Sequence, residues 1–324
     1  MGLTDYSKTY VPEYADIVQL TRDHEKAHWS EEEVSMQSDV EDWKTGEIGE
    51  SAKNLIKNTL RLFTTSDVNV GQGYIEKILP VIKNNEARNM ILSFANREGT
   101  HQRGYALLSD TLGFGEDFYH EFNDYAEMKE KHEFMIEDIG RSYTDFASYL
   151  AKQALMEGVS LFASFAMLLN FEREGQMKGM CEIVMWSIRD ESIHVKGNAM
   201  LFRAFLDEHP RIVNDEFKKG IYECAKELVR LEDAFIDKAF EMGDMKGLTA
   251  EEVKQYIRYV ANYRLQQLGF KTIWEVPVHP LPWIDELVSG TSHGNFFERI
   301  IVDYSKKNWV GSFESGYPET KGRE

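Results

Sequence analysis

A chain of 324 residues with 42% hydrophobic and 12% aromatic residues is long and apolar enough to bury a large core, which excludes a disordered segment. A formal charge of -18 disfavours nucleic acid and anionic membrane surfaces as partners and supplies many carboxylates suited to hard cations. Two cysteines in unpaired spacing, Cys181 and Cys224, exclude a disulfide framework and a zinc ribbon, and fit a reducing cytoplasm.

The N-terminal stretch "MGLTDYSKTYVPEY" has no apolar segment of the kind that opens a signal peptide, and residues 1–20 read as a polar extension. The most apolar run, "LFASFAMLL" at 161–169, is too short by itself to cross a bilayer, so no membrane is expected. Prolines at 12, 80, 210, 277, 280, 282 and 318 leave residues 81–209 uninterrupted, which suits long helices. Breaks in that stretch fall at the glycine-containing segments "DTLGFGED" (110–117) and "NFEREGQMKG" (170–179). "DEHPR" (207–211) ends a further helix, and Thr249 with Glu252 forms a capping-box pattern that starts the next. "TIWEVPVHPLPW" (272–283) reads as an ordered loop. The expectation is an all-α chain with one helical domain over 21–304 and a polar tail over 305–324.

Four acidic residues interrupt apolar stripes at helical spacing. Asp67 lies among Leu60, Phe63, Val70 and Tyr74. Glu98 and His101 lie among Ile91, Phe94, Tyr105 and Leu108. Glu157 follows Leu150 and Ala154 and precedes Leu161 and Phe165. Glu191 and His194 lie among Val184, Ile188, Asn198 and Leu201. Nine histidines and 36 glutamates would produce about one Glu-x-x-His by accident in a chain this long; three occur. Glu25/His28, in the polar run "HEKAHWSEEE", is the accidental one. An isolated ionised carboxylate is costly in an apolar core. Four of them with two imidazoles fit the helix-bundle dimetal pattern of two lone carboxylates and two Glu-x-x-His pairs. Oxygen-rich ligation with imidazole suits iron or manganese.

From "HW" (28–29) through "TTSD" (64–67), "EGTHQRGY" (98–105), "ALMEG" (154–158), "RDESIH" (189–194), "NYRLQQLGF" (262–270) and "PLPW" (280–283) to "GNFFERIIVDY" (294–304), the chain resembles the small, radical-generating subunit of class I ribonucleotide reductase. The resemblance implies a ferritin-like bundle with two metal ions, di-iron, di-manganese or mixed. Asp67, Glu98 and His101 would bind one, Glu157, Glu191 and His194 the other, with Glu98 and Glu191 able to bridge. It implies that Tyr105 is the radical tyrosine and that Asp190 orients a ligand histidine. Trp29 and Tyr304 would then relay electrons, with Tyr317 a weaker relay candidate. The tail over 305–324 would dock on a large subunit that holds the nucleotide and the thiyl radical. A homodimer is expected, and O2, superoxide or a flavoprotein activator would supply oxidising equivalents. Ser187 places a hydroxyl where relatives are commonly apolar, leaving two options: a radical on Tyr105, or the cluster itself as the stored oxidant. A stand-alone dimetal oxidase binding a fatty-acid-like ligand explains the metals but not Tyr304, and a metal-storage cage explains neither Trp29 nor Tyr304.

Overall fold

In the computed structural model, described over residues 2–45 and 48–289, twelve α-helices follow one another with no strand among the described residues. They are α1 (Ala15–Lys26), α2 (Gln37–Thr45), α3 (Glu50–Gly73), α4 (Asn85–Thr111), α5 (Glu116–His120), α6 (Ala126–Ile136), α7 (Tyr143–Leu155), α8 (Phe162–Leu169), α9 (Lys178–Glu208), α10 (Asp215–Ala239), α11 (Ala250–Gln267) and α12 (Pro282–Ser289). Two single π-helical turns extend this set, Tyr74–Ile78 at the end of α3 and Met156–Ser160 between α7 and α8.

Local chemistry sets the helix ends close to where the sequence puts them. The Asn84 side chain accepts from Glu86 N and Ala87 N at the start of α4. Thr249 and Glu252 form their capping box at the start of α11, as do Ser142 and Asp145 at α7. The start of α9 has no local cap. Asp39 and Asp42 of α2 supply one from a distance, their carboxylates accepting from Gly179 N and Met180 N at 2.8 Å and from Met177 N at 2.7 Å. Residues 272–281 form the expected loop, and Pro282 sits in the first turn of α12, where its missing N–H costs nothing.

The centre of the molecule is a set of four rods, α3, α4, the α7–π–α8 run, and α9. Short connections turn α3 back along α4 and α8 back along α9; α7 packs on α9, and α4 joins the two pairs through α9. Close approach of α3 and α4 depends on Gly71, where an added Cβ would lie 3.3 Å from the Glu98 Cβ. The continuous run Tyr143–Glu174 is long and apolar enough by length and composition to cross a membrane, although "LFASFAMLL" alone is not. Its most apolar window is entirely buried inside the protein, as the core rod of the bundle.

The segment ahead of α1 is tied down. Leu3 is buried and its N–H donates to Glu208, while Lys83 N and Asn84 N donate to the Leu3 carbonyl. Glu86 accepts from Tyr14 N at 2.9 Å. Because α1 begins at Ala15, helix starts before the boundary expected at residue 21. Tyr304, Tyr317 and the tail over 305–324 lie outside the described residues.

Candidate metal centre

Asp67 comes from α3, Glu98 and His101 from α4, Glu157 from the π turn, and Glu191 and His194 from α9; all six side chains are buried. His194 Nδ1 lies 2.9 Å from Glu98 Oε1, 3.4 Å from Glu191 Oε2 and 3.8 Å from Glu157 Oε2. His101 Nδ1 lies 3.3 Å from Glu191 Oε1 and 3.4 Å from Glu98 Oε2. Glu98 and Glu191 thus each reach both imidazoles, and one donor atom from each of Glu98, Glu191 and His194 falls within 4.8 Å of the others.

What sets this cluster apart from a buried ion pair such as Lys131–Glu232 is that several acids converge on two imidazoles. Both oxygens of Glu98, both of Glu191, Asp67 Oδ2 and His194 Nδ1 find no partner of acceptable hydrogen-bond geometry among the described residues. Buried polar atoms are rarely left so. Converging carboxylate oxygens and imidazole nitrogens are what hard or borderline divalent cations take as donors, so the residues present fit two such ions.

Charge arithmetic agrees. In the metal-free protein burial, above all, pushes the Asp67 and Glu157 carboxyls well above the usual range, helped by Glu98 and Glu191. Burial opposes a charged imidazole at His101 and His194. The close carboxylates of Asp190, Glu191 and Glu98 outweigh it at His101, which is raised well above its ordinary value. Those of Glu191 and Glu98 raise His194 to about 10. Burial also opposes ionisation of Glu98, but the nearby His101 and His194 rings bring it down to about 2. Without cations the cluster therefore holds protons in their place.

Each imidazole has a second partner on its far side. His101 Nε2 lies 3.3 Å from Asp190 Oδ2, the same oxygen that accepts from Trp29 Nε1 at 2.7 Å and Arg97 at 3.1 Å. The Trp29 indole stacks near His101, its ring centre 6.0 Å away at 25°. His194 Nε2 lies 3.1 Å from His24 Nε2, and His24 Nδ1 lies 2.8 Å from Ser93 Oγ. Burial, then His194, holds His24 down near 2, so it is neutral. With His194 Nδ1 turned to the acids, its Nε2–H donates to His24, whose own N–H goes to Ser93. Such an outer partner fixes tautomer and ring angle.

The Tyr105 hydroxyl donates to Ser187 Oγ at 3.0 Å, and its ring stacks on Phe63 with centres 4.4 Å apart. Burial, then Asp67, pushes its phenol well above the usual range. Glu157 is held from outside the acids. Tyr74 donates to it at 2.8 Å, Asn198 at 3.2 Å and Gln153 at 2.5 Å.

Sequence reasoning missed the parts played by His24, Tyr74, Arg97 and Gln153. His24 had a signal: Ile17, Leu20, Thr21 and His24 form the buried stripe of α1. The neighbouring Glu25 and His28 are exposed, in keeping with an accidental match.

Four inner rods that bring buried acids and two histidines to one point define a ferritin-like helical protein of the dimetal-carboxylate type. Solved structures share the fold. A ribonucleotide reductase R2 subunit from Clostridium botulinum matches with TM-score 0.79 at 19% identity, over 85% of this chain and 89% of that one. A dimanganese(II) NrdF from Streptococcus sanguinis matches with TM-score 0.72 at 17% identity over 83% and 95%. A ribonucleotide reductase homodimer from Saccharomyces cerevisiae gives 0.74 at 20% over 94% and 92%. The family profile "Ribonucleotide reductase, small chain" covers residues 7–280. In sequence, a probable ribonucleoside-diphosphate reductase small subunit of Invertebrate iridescent virus 3 is 40% identical, over 90% of this chain and 82% of its own. The chain belongs to the ribonucleotide reductase small-chain family: it is the small subunit of a ribonucleoside-diphosphate reductase, and its partner is the large subunit.

Proposed function

We propose that Asp67, Glu98 and His101 bind one iron or manganese ion and Glu157, Glu191 and His194 a second, and that the chain stores an oxidising equivalent for its large subunit. The observation that carries this reading is the set of buried carboxylate oxygens at Glu98 and Glu191 with no hydrogen-bond partner among the described residues, facing both imidazoles. When bound, the metal pair supplies one-electron oxidising power. The remaining work belongs to side chains. Tyr105, buried against Phe63 and Ser187, keeps its phenolic proton beside a hydroxyl. Asp190 holds the Trp29 indole and the His101 ring on one carboxylate oxygen, a hydrogen-bonded path away from the acids. Tyr304 and the tail over 305–324 complete that path to the large subunit. The similar yeast homodimer supports a dimer here, and the two unpaired cysteines support a cytoplasmic setting. O2, superoxide or a flavoprotein activator supplies the oxidising equivalents.

Deleting residues 305–324 tests the role. The truncated chain is expected to keep two metal ions, to give the same electron paramagnetic resonance signal after oxidation as the full chain, and to lose nucleotide reduction with the large subunit. Unchanged reduction by the truncated chain would contradict docking through the tail, and a full chain that supports no reduction with the large subunit would favour a stand-alone oxidase. The same spectrum decides between a tyrosyl radical at Tyr105 and an oxidised cluster.

A further inference from the structure

Two buried cations reach the π turn that carries Glu157. Lys131, on α6, is fully buried; its ammonium donates to the Ser160 carbonyl at 2.6 Å and pairs with Glu232 of α10, also fully buried. Arg264, on α11, is likewise fully buried, donates from Nε to the Gly158 carbonyl at 3.1 Å, and lies over the Phe162 ring at 4.8 Å. Both contacts are to main-chain oxygens one and three residues beyond Glu157.

Taking a lysine and an arginine out of water is expensive, and their presence here calls for a specific recipient. In a regular α-helix each interior carbonyl is taken by the N–H four residues on. A π turn inserts a residue into that ladder, and such turns occur singly, mostly at functional sites. Its carbonyls are the natural recipients of outside donors. Gly158 fits the same arrangement. A Cβ there would lie 2.6 Å from Arg264 Nε and 2.8 Å from its Cδ, so any larger residue displaces the guanidinium.

Without the π turn, α7 and α8 would join as one α-helix. The inserted residue would be absorbed by turning one flank about 100° around the axis relative to the other. Both flanks are packed into the core, and Glu157 is anchored on its outer side by Tyr74 and Gln153. The turn is thus what lets Glu157 face the acids while Leu155 and Phe162 stay buried. We infer that Lys131, braced by Glu232, and Arg264 are positioning residues that hold the π turn open and so set Glu157 for the second metal ion. The inference rests on the metal assignment proposed above.

Two variants approach the turn from opposite sides. K131M/E232Q removes both charges of the pair at similar volume and leaves no lone buried ion; G158A pushes Arg264 off its carbonyl. Mn(II) binding is measured by titration calorimetry and by the resonance signal of free Mn(II), with thermal melting of the metal-free chains alongside. The wild-type chain is expected to bind two Mn(II). Each variant is expected to keep one ion at wild-type affinity and to bind the other about tenfold or more weakly, the size of effect that outer partners of metal ligands have. Wild-type affinity for both ions in both variants would overturn the inference, whether or not melting falls, because a purely structural role predicts that pattern. Parallel loss of both ions together with the fold would overturn it too. A wild-type chain that binds no Mn(II) would overturn the metal assignment itself.

Discussion

The Glu98→Ala chain is expected to lose both metal ions while keeping its helices. Glu98, like Glu191, turns its two oxygens to the two different imidazoles, and makes the closest approach of the two, to His194 at 2.9 Å, with His101 at 3.4 Å. Removing it takes an anionic donor from both ions at once, so metal content should fall from two per chain to near zero. The metal-free fold should keep its helices but lose stability: packing is lost and the buried His101 and His194 lose an acid that offsets their charge, while the push of Glu98 on the Asp67 and Glu157 carboxyls is removed. Metal loading is the sharper readout. Bound ions stabilise only the folded chain, by about 4 kcal/mol at a thousandfold excess over Kd, which raises a melting temperature by several degrees. That increment should be present in the wild type and absent in the variant. A Glu98→Ala chain that still binds two ions would show that the convergence of acids is a structural ion-pair cluster only.

Metal binding should also release about four protons per chain near neutral pH. Four carboxylates facing two divalent cations make a neutral set, and the metal-free cluster reaches similar neutrality with protons. Asp67 and Glu157 are raised by burial, while His101 and His194 are raised by their carboxylate partners against burial. The sign follows for each. A raised folded value means that the metal-free fold holds a proton the unfolded chain has already given up. The imidazole contributions are therefore fully present below about 6.5, the ordinary histidine value, and are lost as pH climbs, at His194 through about 10. Raised acids act in the same direction. Glu98 acts oppositely, but its titration near 2 lies in strong acid.

Raising the pH from 6 to 8.5 should consequently weaken the metal-free fold and strengthen metal binding, by about tenfold per pH unit for each proton released. The gap in melting temperature between loaded and metal-free protein should widen over the same range. Calorimetry in buffers of different ionisation enthalpy counts the protons. Release of fewer than two, with affinity flat in pH, would contradict this charge balance.

How much of this was legible in the sequence depended on contrast. Asp67, Glu98 and Glu191 stood out because their helices have exposed faces, so an acid among apolar residues at steps of three and four marks an inward position. Around Glu157 that test had little to work on, since nearly every residue from Phe146 to Phe171 is buried. An acid in a wholly apolar run was the only signal. Nothing in "ALMEGVS" announces a π turn, because the choice between α and π geometry is made by partners far along the chain, Lys131 and Arg264. His24 was hidden by its exposed neighbours Glu25 and Lys26. The cap of α9 by Asp39 and the Arg97–Asp190 pair join residues far apart in the chain, for which one sequence carries no spacing signal.

Anomalous diffraction at the iron and manganese edges, from crystals of the metal-loaded chain, tests the dimetal assignment most directly. The expected result is two peaks roughly 3.5–4 Å apart, between α3, α4, the π turn and α9, each within bonding distance of its assigned histidine and acids. A single peak, or density at that point with no anomalous signal at either edge, would contradict the assignment and with it the role as oxidant store.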